Sequence, residues 1–172
     1  EVFAVTDFMS EFSILLRQLL DERIELDVKH GRDVPYIKAD KNQLENALFN
    51  LATNARDAML SHKNGGKLTI RTARATGKEA QDKGFAFVSD GDYMLIEVED
   101  SGHGMPKDVM DKIFQPFFTT KEAGVGTGLG LATVYGIIKQ SGGYIFAESQ
   151  PGQGATFTIF LPVHAAPAAP RL

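Results

Sequence analysis

The sequence predicts an α/β (α+β) two-layer sandwich, in which helices pack on one face of a mixed, largely antiparallel sheet. Segments with helical apolar spacing are interspersed with short strand-like segments, and several strand-like segments are joined by hairpin-sized connections. The chain has 172 residues, 43% of them hydrophobic, which is enough for one well-filled core.

The first half of the chain carries clear helix and strand signals. Apolar residues recur at helical spacing over residues 8–20, and residues 24–28 then alternate apolar and charged side chains as a strand does. Asp40 is the expected N-cap of a helix that runs to about residue 60. This helix should stop at the turn-forming residues 64–66.

The second half is richer in strands. Its predicted elements are, in order, strands at 67–75 and 93–99 flanking a polar hairpin excursion at 76–91, a short helix at 107–113, a glycine-rich segment at 115–130, a helix at 130–140, and strands at 144–149 and 155–161. The last two strands flank a sequence typical of a turn, so they should form a hairpin.

Composition and charge exclude several classes of protein. The chain has no cysteine, so it holds no disulfide framework and no cysteine-based metal site. A formal net charge of -4 with scattered Lys and Arg predicts no nucleic-acid partner. No apolar run approaches the roughly 18 residues that a membrane span needs, and no signal peptide is visible. We therefore expect a cytoplasmic domain.

Polar side chains form a stripe along the helix that follows Asp40. The stripe consists of Gln43, Asn46, Asn50, Asn54 and Asp57. It is either a solvated helix face or a row of carboxamides that faces a ligand. Because Asn is a mediocre helix former and solvated faces favour Glu, Lys and Arg, the ligand interpretation has weight. Asn50 and Asn54 are one turn apart, and neutral oxygen ligands suit Mg²⁺.

A second candidate site follows the strand at 93–99. By alternation, Asp100 points to the same side as the apolar residues of that strand and needs a hydrogen-bond partner. It is either a structural acceptor for the amides of the following turn or an acceptor for the exocyclic amine of a ligand. Gly102 and Gly104 would let a flat ring approach the backbone. We interpret His103 as a loop residue that is neither a base nor a metal ligand.

A third candidate site is the glycine-rich segment Gly124-Val125-Gly126-Thr127-Gly128-Leu129-Gly130, which opens onto a predicted helix. Backbone amides at a helix N-terminus suit an anion. The segment lacks the residues of a P-loop and the spacing of the dinucleotide fingerprint. Upstream, the segment 114–121 joins aromatic residues to hydroxyls and Lys121, a composition that suits a mobile lid closing over phosphate.

Five motifs in this order resemble the N, G1, F, G2 and G3 boxes of the catalytic ATP-binding domain of histidine protein kinases, in the GHKL superfamily. They are Asn50-x-x-x-Asn54-Ala55, Asp100-x-Gly102-x-Gly104, Phe114-x-Pro116-Phe117-Phe118-Thr119-Thr120-Lys121, Gly126-Thr127-Gly128-Leu129-Gly130 and Gly154-Ala155-Thr156. Finer details are similar to the CckA-like hybrid sensor kinases of alphaproteobacteria. The resemblance implies the Bergerat fold, ATP and Mg²⁺.

The resemblance also implies a role for each matching residue. Asp100 would accept from the adenine amine with help from Thr156 through water, and Gly102 and Gly104 would shape the base pocket. Asn50 would ligate Mg²⁺ and act in catalysis, and Asn54 would contact phosphate. Lys121 would act in catalysis from the lid, and the segment from Gly126 to Gly130, with Thr127, Gly128 and Leu129, would close over the triphosphate.

The sequence departs from related ATPases at two places. Hydrolysing relatives carry a Glu one turn before the first Asn, where a general base orients water, and this chain has Asn46 there. We therefore expect phosphoryl transfer to a protein acceptor rather than hydrolysis. Many members of the family carry Lys or Arg three residues after the second Asn, where this chain has Asp57, so neither Asp57 nor Arg56 is assigned to phosphate.

The resemblance also implies partners. The acceptor would be a histidine on a helical dimerisation domain, and a receiver domain or response regulator would act downstream. We expect residues 1–13 to link to that histidine-bearing domain, residues 14–163 to form the catalytic domain, and the Ala/Pro-rich residues 164–172 to form a second linker. The fragment should be monomeric, and the full-length protein a homodimer, with an inner-membrane anchor as one option.

Two alternative functions stay open at this point. One is a hydrolysing GHKL ATPase of the gyrase, chaperone or mismatch-repair type. The other is a regulatory module that senses nucleotide or a second ligand. Tyr135, Lys139 and Tyr144 are compatible with such a second site, because aromatic rings stack bases while lysine meets phosphate. A cyclic dinucleotide is the hypothesis for that ligand.

Overall fold

The computed structural model describes residues 1–31, 35–62, 65–115 and 130–165. The elements are β1 (Val2–Ala4), α1 (Val5–Leu19), β2 (Ile24–His30), β3 (Tyr36–Lys38), α2 (Lys41–His62), β4 (Gly66–Thr76), α3 (Gly77–Asp82), β5 (Asp92–Asp100), α4 (Lys107–Met110), α5 (Gly130–Gln140), β6 (Tyr144–Ser149) and β7 (Ala155–His164). Every helix in these ranges is too short or too polar to span a lipid bilayer.

The strands form one seven-stranded sheet with the order β1-β3-β7-β5-β4-β2, and β6 pairs with β7. The pair β2–β4 is parallel, and the other pairs are antiparallel. The prediction of a mixed, largely antiparallel sheet is confirmed. The hairpin of β6 and β7 and the bounds of α5 are also as predicted.

The main core lies between the sheet and the helices α1, α2 and α5. Alternate residues of β5 and β7 point into it, and the apolar stripe of α2 covers them. The buried residues that these three elements contribute include Met94, Ile96, Val98, Phe157, Ile159, Leu161, Leu44, Leu48, Leu51, Ala55 and Met59. The predicted core face of the helix after Asp40 is therefore confirmed.

The opposite face of the sheet carries a second, smaller apolar cluster. Ala80 of α3 packs there with residues of β5 and β7 such as Leu95 and Phe160. The predicted hairpin excursion at 76–91 is confirmed, since β4 and β5 pair antiparallel on either side of it. The helix within it was not predicted; it starts at a capping box between Thr76 and Glu79. The short strands β1 and β3 were also missed, since three residues carry no readable alternation.

Residues 1–13 pack as part of the main core. Phe3, Val5, Phe8 and Phe12 are buried, and β1 pairs with β3. Amphipathic packing of α1 therefore extends the helix start from the expected residue 8 back to Val5. That these residues also link to another domain stays a prediction.

Candidate nucleotide-binding site

Helix α2 sets the position of the two asparagines. The Asp40 carboxylate Oδ1 accepts from the Gln43 backbone N–H at 3.1 Å, as expected for an N-cap, and thereby fixes where the helix begins. With the apolar stripe of α2 buried, Asn50 and Asn54 lie half-buried at its border. The helix thus holds both carboxamides at the edge of the core, one turn apart.

The start of α5 lies beside these two carboxamides. A Cβ built on Gly130 would be 3.5 Å from Asn50 Oδ1 and 3.9 Å from Asn54 Nδ2. Unpaired amides and the positive end of the helix dipole lie at the N-terminus of an α-helix. The structure therefore brings Asn50, Asn54 and Gly130 together at a place suited to an anion.

Asp100 ends β5 with its side chain buried, at 7% exposure. Its Oδ1 accepts from the Gly102 backbone N–H at 2.8 Å, so the interpretation as a structural acceptor for the turn is confirmed. Burial raises the pKa of this carboxyl above its ordinary value, and hydrogen bonds from the backbone of Gly102 and Ala155 and the charge of His103 counteract part of that rise. A buried carboxylate of this kind recognises a donor N–H on a ligand strongly.

Each of the two glycines after Asp100 lies where a larger side chain would clash with a neighbour. A Cβ on Gly102 would lie 2.8 Å from the Ala58 Cβ of α2 and 3.0 Å from Asp100 Oδ1. Gly104 has φ +71°, and a Cβ there would collide with the Gln150 carbonyl oxygen. The turn after β5 therefore packs directly against α2 on one side and the β6–β7 turn on the other.

Thr156 does not lie beside Asp100, and the expectation that it assists Asp100 is wrong. In the β5–β7 register, Asp100 pairs with Ala155, whereas Thr156 pairs with Glu99. Cross-strand partners share a face of the sheet and neighbours along a strand do not, so Thr156 faces the opposite side. Phe157, Ile159 and Leu161 alternate along the strand in phase with Ala155 and out of phase with Thr156. This pattern is visible in the sequence and could have shown that Thr156 faces away from Asp100.

Arg56 and Asp57 form an ion pair with each other. The Arg56 guanidinium lies 3.3 Å from Asp57 Oδ1, and both side chains are partly exposed. His103, in the loop after β5, has its Nδ1 2.7 Å from the Gly104 carbonyl oxygen. None of the three is placed by the structure as a phosphate ligand.

Several predicted site residues lie outside the described residues. They are Lys121, Gly126, Thr127, Gly128 and Leu129. The aromatic residue before them, Phe114, is described. Its ring contacts Tyr135 at a centroid distance of 5.4 Å and Phe157 at 6.3 Å, which confirms it as an anchor against the core.

The structure brings Tyr135, Lys139 and Tyr144 together. Lys139 Nζ lies 5.6 Å from the Tyr135 ring centroid and 4.8 Å from that of Tyr144. The Tyr144 hydroxyl lies 3.0 Å from Ser89 Oγ, and hydrogen bonds with Ser89 lower the pKa of Tyr144. Ser89 was missed in the sequence because it lies 55 residues away in the excursion.

Comparison with known proteins gives a consistent result. Residues 39–165 match the family model "Histidine kinase-, DNA gyrase B-, and HSP90-like ATPase". The sensor kinase CckA of Brucella abortus (strain 2308) is 50% identical over 162 residues, which cover 94% of this chain and 17% of that protein. The sensor histidine kinase ZraS of Escherichia coli (strain K12) is 38% identical over 141 residues, which cover 82% of this chain and 26% of that protein.

Solved structures show the same fold. The nucleotide-free catalytic domain of histidine kinase ThkA superposes with a TM-score of 0.74 at 26% identity, and the match covers 95% of each chain. Full-length ShkA in complex with AMPPNP superposes with a TM-score of 0.76 at 25% identity, over 98% of this chain and 32% of that one.

Proposed function

This chain belongs to the family of histidine kinase-, DNA gyrase B- and HSP90-like ATPases and is an ATP-binding catalytic domain of the sensor histidine kinase type, and we propose that it binds Mg-ATP and donates the γ-phosphoryl group to a histidine on a separate domain. The named relatives favour this reaction over the hydrolysing and purely regulatory alternatives.

One observation carries the proposal: a single stripe of α2 links the base site to the phosphate site. Ala58 packs against Gly102 beside Asp100, and Asn54 and Asn50 follow it at intervals of one turn towards Gly130. Asn50 lies eight residues before Ala58, which corresponds to about 12 Å along the helix axis. A nucleotide lying along this stripe would place its base at Asp100 and its phosphates at the N-terminus of α5.

The donor set at the phosphate end fits Mg²⁺. Asn50 offers a neutral amide oxygen, which is a ligand that Mg²⁺ accepts beside water and phosphate oxygens. When bound, the ion would offset the charge of the phosphates during transfer. Asn54 and the N-terminal amides of α5 would hold the phosphates in position. We propose that Lys121 and the segment from Gly126 to Leu129 complete this end from the lid.

The residue one helical turn before Asn50 bears on whether the phosphoryl group is transferred to water or to a protein. Asn46 is exposed, one turn before Asn50, and its carboxamide cannot remove a proton from water. This supports transfer to a protein acceptor. We propose that residues 1–13 and 164–172 connect this domain to the histidine-bearing domain and to a receiver domain, in a homodimeric protein that acts on the cytoplasmic pool of ATP.

Calorimetric titration with ATP, with and without Mg²⁺, tests the base site. We expect Asp100→Asn to weaken ATP binding about tenfold to a hundredfold, because a charged acceptor is lost. Glu99→Gln is the matched control, since Glu99 points to the other face of the sheet. Equal affinity in wild type and Asp100→Asn would contradict the assignment.

Phosphotransfer is measured separately. Radiolabelled ATP is mixed with this chain and a separately supplied histidine-bearing dimerisation domain. We expect label on the histidine and little free phosphate. Rapid phosphate release with no labelled histidine would identify a hydrolase instead.

We also propose that Tyr135, Lys139 and Tyr144 bind a cyclic dinucleotide. The Lys139 ammonium lies between two aromatic rings, and Tyr135 is 40% exposed, so a base can stack while the ammonium meets phosphate. Tyr135→Ala should weaken binding of cyclic di-GMP at least about tenfold. Phe87→Ala, at another exposed aromatic ring (87% exposed), is the control. Absence of saturable binding to the wild-type chain would exclude the site.

A further inference from the structure

A cavity lies on the face of the sheet opposite α2. Its volume is about 260 Å³, and it is bounded by the sheet and by the excursion between β4 and β5. Leu95 and Phe160 form an apolar floor, with Ala80 and Phe85 of the excursion on one side. Because Asp100 faces the other side of the sheet, this cavity is separate from the proposed nucleotide site.

The rim of this cavity is acidic. Glu97 of β5 and Glu148 of β6 flank β7 from its two sides, opposite Thr158 and Thr156 respectively. Neither carboxylate forms an ion pair with any residue in the described ranges, since Arg71, which pairs with Glu97 in register, directs its guanidinium to Glu99 at 3.4 Å.

Two further charged groups line the cavity. Glu79 is engaged in the capping box of α3, and Lys83 is the single cation among the lining residues. Three carboxylates therefore face one ammonium group, and the cavity favours a positively charged occupant.

The side chain of a largely buried threonine in the cavity wall gives an independent indication of a ligand. Thr158 lies on β7 between the two carboxylates and is only 5% exposed. No described residue hydrogen-bonds its hydroxyl, and because every fully buried side-chain oxygen or nitrogen of the described residues has a partner, this hydroxyl is open to the cavity that it lines. An N–H donor on a molecule in the cavity would therefore find an acceptor in this hydroxyl that no other described residue uses.

We propose that this cavity binds a small organic cation, an ammonium or guanidinium group joined to a short apolar body. The cationic group lies between Glu97 and Glu148 and donates to the Thr158 hydroxyl, and the apolar body lies on Leu95 and Phe160. The cavity is smaller than the roughly 300–1,000 Å³ of sites for drug-sized ligands, which fits a ligand smaller than a nucleotide.

Nuclear magnetic resonance titration of the whole chain with 2-phenylethylammonium tests the proposal. We expect saturable shifts at Leu95, Thr158 and Phe160 with a dissociation constant of about 1 mM. Two probes of similar size, the neutral 2-phenylethanol and the anion phenylacetate, should bind more weakly. Glu97→Gln and Glu148→Gln should each weaken binding of the cation roughly twofold to tenfold, and leave the weak binding of the alcohol unchanged.

Matched variants separate this site from general effects. Glu11→Gln, on the exposed side of α1, should bind the cation as wild type does. Thr158→Ser should retain binding and Thr158→Val should lose part of it. If Thr158→Val does not fold, the two glutamate variants at the rim decide the question. ATP binding should be unchanged in every folded variant, because the two sites lie on opposite faces.

Three results would overturn the proposal. They are equal affinity for the cation and the alcohol, unchanged affinity in both glutamate variants, and no saturable shift of the cavity residues. Because none of them depends on ATP binding or phosphotransfer, failure here leaves the proposed kinase function intact.

Discussion

Asp100 has one hydrogen-bond partner in the turn, the Gly102 N–H, and a second, proposed partner in the amine of a ligand. The two differ in whether they need the carboxyl to be ionised. Its Oδ1 already accepts from Gly102, a bond that a neutral side chain oxygen can also accept. Recognition of a ligand amine needs the ionised form, which burial disfavours. The ionised form of Asp100 is therefore destabilised by burial in the folded protein, and a hydrogen bond from the amine of a bound base would offset this destabilisation.

Base recognition should depend on pH through this carboxyl. Its folded pKa is raised above 3.8, so affinity for adenosine should fall as pH decreases through the raised value, by about tenfold per pH unit below it. Adenosine is the probe because phosphate groups titrate in the same range. Calorimetry between pH 7 and pH 4.5 measures the dependence, and Asp100→Asn should bind weakly at every pH. A flat profile for wild type would contradict the prediction.

The contribution of Asp100 to folding stability changes with pH in the direction opposite to that of ligand affinity. A raised folded pKa means that the stabilising contribution is present below pH 3.8 and is lost as pH rises through the folded pKa. Asp100→Asn removes this loss and keeps an acceptor for Gly102. Its free energy of unfolding at pH 7 should therefore be no lower than that of wild type, within about 0.5 kcal/mol, by urea denaturation.

At the residue scale, alternation in the sequence correctly places Asp100 on the inner face and Asn50 and Asn54 together. Thr156 was misassigned because a shift of one residue along a strand reverses its face. Motif spacing cannot resolve that shift, whereas the apolar parity of the following strand can.

Among the elements, α2 was predicted closely because an N-cap and a long apolar stripe agree. The helix α3 was missed, although the residues of its capping box stand in the sequence, because polar composition at 76–91 favoured a turn. The Thr76 hydroxyl accepts from Glu79 N–H, and the Glu79 carboxylate accepts from Thr76 N–H, each at 3.1 Å. These bonds hold the excursion over the second apolar cluster.

Removing this cap should loosen the excursion. We expect Thr76→Ala to lower the free energy of unfolding by about 1 kcal/mol, because both bonds of the box are weakened. Hydrogen exchange should accelerate at residues 77–91 and stay unchanged in α2. Lys78→Ala, at an exposed position of the same helix, is the control and should change little. Unchanged exchange in Thr76→Ala would show that the apolar cluster alone holds the segment.

For the whole molecule, the two faces of the sheet differ in what the sequence reveals. The helix-covered face follows from apolar periodicity and was predicted. The opposite face depends on contacts between the excursion and distant strands, such as the contact of the Phe85 ring with Phe160 at 5.5 Å, and no local pattern encodes them. The cavity there becomes visible only once the strand register is known.

The second apolar cluster should belong to the same cooperative unit as the main core. Phe160 is 2% exposed and packs against Phe85, Tyr93 and Phe146. Phe160→Ala should cost about 3–5 kcal/mol in one unfolding transition. Phe87→Ala, at an exposed ring, should change stability by less than about 0.5 kcal/mol. A separate early transition in Phe160→Ala would show that the excursion folds independently.

Strand β7 pairs with three others, β3, β5 and β6, and follows all of them along the chain. During synthesis on the ribosome, β3 and the β4–β5 pair therefore emerge before the strand that joins them. The sheet can close only after His164 has left the exit tunnel, and until then the apolar edge of β5 stays exposed to chaperones and to other nascent chains.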